Sequence, residues 1–253
     1  MRPSAVLTAV RGLRRRRKVQ HRGRPAQGTV VLVHGAWADG SSWSEVIARL
    51  QAQSIHVVSV QNPLTCLADD VAAVARALEP LAAPVVLVGH GYGGTVITEA
   101  GQLSQVAALV YTAAFAPDNG ESTNELLASG PLPGLTAVLR KDSGGYLWFP
   151  QEALPDWLAQ DLPTENAKAL ASAQAPIHAR ALDDRVSEAA WRTRPSWYLV
   201  SARDRVIDAS LQRAMAARIR ADTTTVSASH FAFASHPKET TALIVRAVRS
   251  TQG

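Results

Sequence analysis

At 253 residues, 47% hydrophobic and 19% charged, the chain is long enough for one large domain with a substantial core, and no apolar run is long enough to cross a bilayer. Nine of the 26 Lys and Arg, and none of the 21 Asp and Glu, fall in residues 1–28; the 17 basic and 21 acidic residues beyond them argue against nucleic-acid binding by the body of the chain. Cys66 is the single cysteine, which excludes an intramolecular disulfide and a thiolate-built metal site.

Residues 1–28 read as a basic extension. Residues 4–10 are apolar but precede the Arg cluster, the reverse of a secretory signal. An Arg-rich, acid-free start also fits an organelle transit peptide or an extension from an upstream start codon. The expectation is a disordered tail on a cytoplasmic protein.

Residues 29–33 predict a buried strand, followed by His34-Gly35-Ala36-Trp37, where the glycine permits a turn that aims the Ala36 N–H into a cleft. Ser42-Trp43-Ser44-Glu45 fits a capping box opening a helix to about residue 53. A second strand spans residues 56–60. Leu67, Val71, Val74, Ala75 and Leu78 then share a helical face, with Asp69 and Asp70 in the first turn where they favour the helix dipole. Val85-Val86-Leu87-Val88 leads into Gly89-His90-Gly91-Tyr92-Gly93-Gly94, which reads as strand, tight turn and helix from near Thr95. A fourth strand covers residues 106–111.

Strands alternating with helices at this spacing imply right-handed crossovers and a mostly parallel sheet with helices on both faces. The order breaks between about residues 117 and 191, where prolines, short helical patterns and the aromatics Tyr146, Trp148, Phe149 and Trp157 accumulate. This stretch reads as a largely helical cap over the strand ends, where open α/β sheets bind ligands. The pattern resumes with a strand at 196–201 that delivers Arg203-Asp204-Arg205 to the loop beyond it. A helix from about Asp208, a strand at 223–226, Ser229-His230 and a helix at 237–248 complete the chain.

The glycine spacing at residues 89–93 is that of a nucleophile elbow, G-x-S-x-G, whose middle residue stands at a strained tip above the sheet. Here that residue is Gly91, which has no side chain and cannot be a nucleophile. Among possible substitutes, Ser41 and Ser42 follow the first turn but Ser42 is explained as a cap. The Tyr92 side chain is expected to point away from the tip, and Cys66 reads as a small packing residue. His34 and His90 precede turn glycines and read as structural hydrogen-bonders; no HExxH-type spacing suggests metal.

His34-Gly35-Ala36-Trp37, the elbow at residues 89–94, Asp204 and Ser229-His230 stand in the order of an α/β-hydrolase-fold protein. From about residue 29 to 249 the chain resembles the small, cofactor-free esterases with an HGAW loop, related to plant ester hydrolases and hydroxynitrile lyases. The resemblance implies that Asp204 is the acid, His230 the base, and the backbone N–H groups of Ala36 and Tyr92 the oxyanion donors. It places the nucleophile at Gly91, where this chain departs from the pattern. A pocket lined by Trp37, Trp148 and Phe149, a small apolar ester-like substrate and no cofactor or metal are the corresponding expectations.

Three explanations of the glycine stay open at this stage. The chain is an esterase whose nucleophile has been replaced, so that ester hydrolysis is weak or absent. Alternatively, a His230–Asp204 pair acts directly as general base without a covalent intermediate. The third explanation is a ligand-binding protein that uses the capped pocket without turnover.

Overall fold

Six parallel strands position everything that follows. The computed structural model describes residues 28–131 and 135–252. The strands are β1 (Thr29–Val33), β2 (His56–Val60), β3 (Val85–Gly91), β4 (Val106–Ala114), β5 (Ser196–Ser201) and β6 (Asp222–Val226). They lie in the order β2-β1-β3-β4-β5-β6, every pair parallel. Each strand falls where the sequence predicts one, with β4 running three residues further, to Ala114, and all seven residues of β3 are buried, as expected of a strand covered on both faces. The basic extension lies, apart from Gly28, outside the described residues.

The helices α1 (Ser44–Gln51), α2 (Leu67–Leu78), α3 (Gly93–Ala100), α4 (Ala209–Arg218) and α5 (Pro237–Ser250) cover the sheet. α5 packs on β3, β4 and β5 and against α1, whereas α3 packs on β1, β3 and β4 and against α2. The chain runs outward from β1 to β2 and then returns past β1 to β3. Its direction therefore reverses between β1 and β3, and the crevice at the carboxyl ends of those two strands is where an open α/β sheet takes a ligand.

Two local features differ from the sequence expectation. A 3-10 turn, Gly40–Trp43, precedes α1, and its cap is Asp39: the Asp39 Oδ1 accepts from the Ser41 and Ser42 N–H groups, and the Ser42 hydroxyl lies 3.4 Å from the Asp39 nitrogen. Ser42 is thus the third residue of a capping box opened by Asp39, because a carboxylate three residues upstream outcompetes the hydroxyl as acceptor. The second difference is Asp70. It sits in the first turn of α2 but is fully buried, its carboxylate accepting from the Leu64 N–H at 2.8 Å and the Tyr92 hydroxyl at 2.8 Å.

The insertion between β4 and β5 carries short helices at Thr123–Ser129, Leu135–Val138, Leu154–Leu158, Thr164–Ala173 and Ala179–Asp183. It also contains a three-stranded antiparallel sheet, Arg140–Lys141, Tyr146–Trp148 and Ile177–His178, which a largely helical cap did not anticipate. Strands of two or three residues give no detectable alternation. Their turn chemistry is visible, however: the Asp142 Oδ1 accepts from Gly144 and Tyr146, and Gly145 has φ +89°.

Candidate active site

The end of β3 and the loop after β1 meet at the crevice. Gly91 has φ +53°, a conformation that costs an L side chain about a kcal/mol or more. Gly35 is needed for a different reason: a Cβ there would lie 2.6 Å from the His90 carbonyl oxygen and 3.2 Å from the Tyr92 nitrogen. Without that side chain the two loops approach closely. Among the described residues, neither the Ala36 nor the Tyr92 N–H has a hydrogen-bond partner. Both residues border the same cavity, and free backbone donors so placed can hold a developing oxyanion.

The loops after β5 and β6 bring Asp204 and His230 together from 26 residues apart. The His230 Nδ1 lies 2.8 Å from the Asp204 Oδ2, with the two side chains 4% and 0% exposed. A carboxylate on Nδ1 places the proton there and leaves Nε2 with its lone pair. Nε2 in turn lies 3.1 Å from the point at which Gly91 would carry a Cβ. Imidazole, carboxylate and empty tip therefore meet at one place, and Ala36 and Tyr92 border the same cavity.

The supporting bonds explain how both loops are held. The Asp204 Oδ1 accepts from the Val206 and Ile207 N–H groups at 2.7 and 3.0 Å, and its Oδ2 also accepts from the Gln212 side-chain amide at 2.8 Å. Gln212, fully buried on α4, reaches back as well to the Ser201 N–H at the end of β5. Arg203 and Arg205, the neighbours that could have paired with Asp204, donate instead to the Ser227 and Asp156 carbonyls. The His230 carbonyl accepts from the His90 Nε2–H at 3.1 Å, so the residue before the elbow tip anchors the opposite loop. From the cap, Asp161 accepts from the Ser229 N–H and the Leu158 carbonyl from the Phe231 N–H.

The two other histidines near the crevice are neutral scaffolding. Burial, reinforced by the neighbouring His230, holds His90 well below the ordinary imidazole range. Burial also lowers His34, whose Nδ1 lies 2.9 Å from the Gly35 carbonyl oxygen while its Nε2 accepts from the Asn62 N–H. The Tyr92 side chain points away from the tip, to Asp70; burial first, then the adjacent carboxylate, drives its phenol far above the ordinary range.

A cavity of about 310 Å³ opens onto Gly91 and His230. Its wall includes Ala36, Trp37, Phe115, Val206 and the cap leucines 127, 135, 139, 147 and 182, with Lys141 and Asn124 also contributing. Two of the three expected aromatics are elsewhere. Trp148 is 40% exposed and donates its indole N–H to Asp142, because the side chains of a short strand alternate and Leu147 takes the inward position. Phe149 is buried behind Trp37, ring centroids 5.3 Å apart in an edge contact. Trp37 itself reaches the wall with φ +56°, its indole N–H donating to the Leu147 carbonyl.

Gln212 and Asp161 are not singled out by the sequence, and Asp70 reads there only as an acid of a first helical turn. Each is a polar residue on a helix or loop with no motif around it, and only the fold shows that it is buried against the site loops. Cys66 is at the start of α2 and away from the cavity wall. Among the described residues, no cluster of three or more His, Cys, Asp or Glu is arranged to hold a metal ion, and no helix is long and apolar enough to cross a membrane.

The model of a family described as the alpha/beta hydrolase family matches residues 30–243. A carbendazim hydrolyzing esterase of Nocardioides sp. (strain SG-4G) is 32% identical over 123 residues, 42% of this chain and 50% of that protein. The chain spans about half the length of the curated relatives it matches. Among solved structures, an extracellular alpha/beta-hydrolase from a Paenibacillus species has a TM-score of 0.75 at 21% identity, covering 87% of this chain and 98% of that one. A methylesterase from Arabidopsis has a TM-score of 0.74 at 20% identity, covering 88% and 99%. At such identities the structural likeness speaks for the fold, and plant esterases are among the neighbours, as the HGAW resemblance implied. With the family match over most of its length and the crevice geometry above, the chain belongs to the α/β hydrolase family.

Proposed function

We propose that the protein carries a carboxylic-ester site from which the serine nucleophile alone is missing, so that hydrolysis by the covalent serine route is absent and turnover is weak. The observation that carries this reading is the separation of 3.1 Å between His230 Nε2 and the place where a serine side chain would begin. An imidazole held by a buried carboxylate, two free N–H groups and an apolar cavity are what acyl transfer requires besides the nucleophile. The mostly aliphatic wall favours a small apolar acyl or aryl group, and the esterase among the curated relatives supports an ester as the electrophile.

In this reading Ala36 and Tyr92 hold the ester carbonyl oxygen, His230 is the base, and Asp204 fixes its tautomer. Triad members act as a unit, so loss of one typically costs orders of magnitude in rate. The test is Gly91→Ser with a short 4-nitrophenyl ester. The expected result is a gain in kcat/KM on the order of 10³-fold or more, removed again by adding His230→Ala. A folded Gly91→Ser that binds such esters saturably without hydrolysing them would favour a ligand-binding role.

A further inference from the structure

The bare tip changes what His230 faces. In a serine hydrolase a hydroxyl stands between the imidazole and the acyl carbon, but here nothing does. Outside residues 90–92, the heavy atoms nearest the missing Cβ are His230 Nε2 at 3.1 Å, His230 Cε1 at 3.6 Å and the Gly35 Cα at 3.9 Å. Nε2 is the only polar atom of the three. Resting on the ester-site reading above, we propose that the Nε2 of His230 is itself a nucleophile toward aryl esters, forming a transient acyl-imidazole.

Three features favour the ring nitrogen. Its Nδ1 is hydrogen-bonded to the buried Asp204 carboxylate, which enriches the ring and stabilises the cation that acylation creates. Other nucleophilic groups of the cavity are occupied or face solvent: the Thr123 hydroxyl is tied to Thr95, the Tyr92 hydroxyl to Asp70, and Lys141, on the cap side of the wall, is exposed. A competing water is poorly held, since an ordered water needs about two to four polar partners. Once the ester carbonyl occupies the Ala36 and Tyr92 N–H groups, Nε2 is the polar atom left beside the tip.

The Nε2 lone pair forms a bond to the acyl carbon while the carbonyl π pair moves onto oxygen, against the two N–H groups. Collapse of this oxyanion breaks the bond to the aryl oxygen, which leaves with the electron pair as a phenolate. Water then adds to the carbonyl carbon of the acyl-imidazolium, and the C–N pair returns to Nε2. One proton of that water stays on the carboxylic acid and the other neutralises the phenolate. Because Nε2 is consumed by the acyl group, no proton can be given to the leaving group. The substrate class is thereby limited to esters of acidic alcohols, aryl or enol esters, and excludes alkyl esters and amides.

The experiment uses the native chain in excess over 4-nitrophenyl acetate at neutral pH, with acid quenching and peptide mass analysis. The expected result is a burst of nitrophenolate roughly tenfold or more above that of His230→Gln, with one acetyl group on the peptide containing His230 that hydroxylamine removes. Asp204→Asn, which keeps the ring but weakens its partner, should slow the burst. Turnover without acetyl on that peptide, accompanied by a solvent isotope effect, overturns the inference in favour of a water route. An inert native chain beside an active Gly91→Ser also overturns it while leaving the ester-site reading intact; inactivity of both would end that reading as well.

Discussion

The Nε2 of His230 sits 3.1 Å from the position of a Cβ on Gly91, closer than most Cβ contacts and close enough that any side chain there must face the imidazole. This one contact joins the last residue of β3 to the loop that follows β6. It also sets a structural expectation for restoring a hydroxyl. The ring has to give by a few tenths of an ångström, and residue 91 has to keep φ +53° with a Cβ. Gly91→Ser is therefore expected to lower stability by about 1–2 kcal/mol, read as a drop of about 2–8 °C in Tm. A Tm unchanged or raised would mean that the backbone at the tip is not held as described.

Asp204 is expected to be important for stability as well as orientation. It accepts four hydrogen bonds, from Val206, Ile207, Gln212 and His230. Asp204→Ala leaves those buried donors unpaired and should cost about 2–4 kcal/mol in denaturant unfolding. In the Gly91→Ser background, Asp204→Asn should reduce kcat by about 10²–10⁴-fold with a smaller loss of stability. Equal losses of stability from both variants would show that the carboxylate only braces its loop.

Gln212 gives a separable test of the same loop. Its amide connects Asp204 Oδ2, the Ile207 carbonyl and the Ser201 N–H. Gln212→Leu fits the volume but leaves the Ser201 N–H and the Ile207 carbonyl unpaired, with an expected cost of about 1–3 kcal/mol. A neutral effect on unfolding would place little weight on the bridge.

The pH dependence of stability should carry the mark of Asp70. Burial, partly offset by the hydrogen bonds from Leu64 and Tyr92, raises its carboxyl from 3.8 to about 6. A group whose pKa is raised by folding stabilises the native state fully below the unfolded value and loses that contribution as pH rises through the folded value. Asp70→Asn removes this proton uptake. The stability advantage of the native chain over Asp70→Asn should therefore shrink between about pH 4 and 7 by on the order of 2 kcal/mol. A pH-independent difference would contradict the raised carboxyl.

Cavity selectivity should follow the leucines and not the exposed indole. Leu182→Trp, projecting into the wall, is expected to weaken binding of a small aryl ester by roughly tenfold. Trp148→Ala should leave it within about twofold. The reverse ranking in a binding titration would relocate the pocket toward the surface of the cap.

The core of the fold was legible because buried strands are written as unbroken apolar runs, β-branched in β1 and β3 and aromatic and aliphatic in β5, at the spacing of βαβ units. The elbow was legible from its glycines, three of which are demanded by contacts that a Cβ would violate: Gly89 against the Gly93 carbonyl, Gly93 against the Val33 carbonyl and Gly94 against the Phe115 carbonyl. What the sequence hid depends on tertiary packing. Asp70 looks like any acidic residue in a first helical turn until Tyr92 is laid over it. Asp39 lies outside the box that Ser42 seemed to open. The cap strands are too short for a period-2 signal, so nothing indicated that Trp148 turns outward while Leu147 turns in.

The most direct measurement is stoichiometric labelling by a fluorophosphonate, which reacts with an activated serine hydroxyl and needs no guess about the natural substrate. Gly91→Ser is expected to take up one label at residue 91, the native chain none there, and Gly91→Ser combined with His230→Ala to lose the label. A folded Gly91→Ser that remains unlabelled would show that His230, Asp204 and the two N–H groups do not form a site able to activate a nucleophile at the tip.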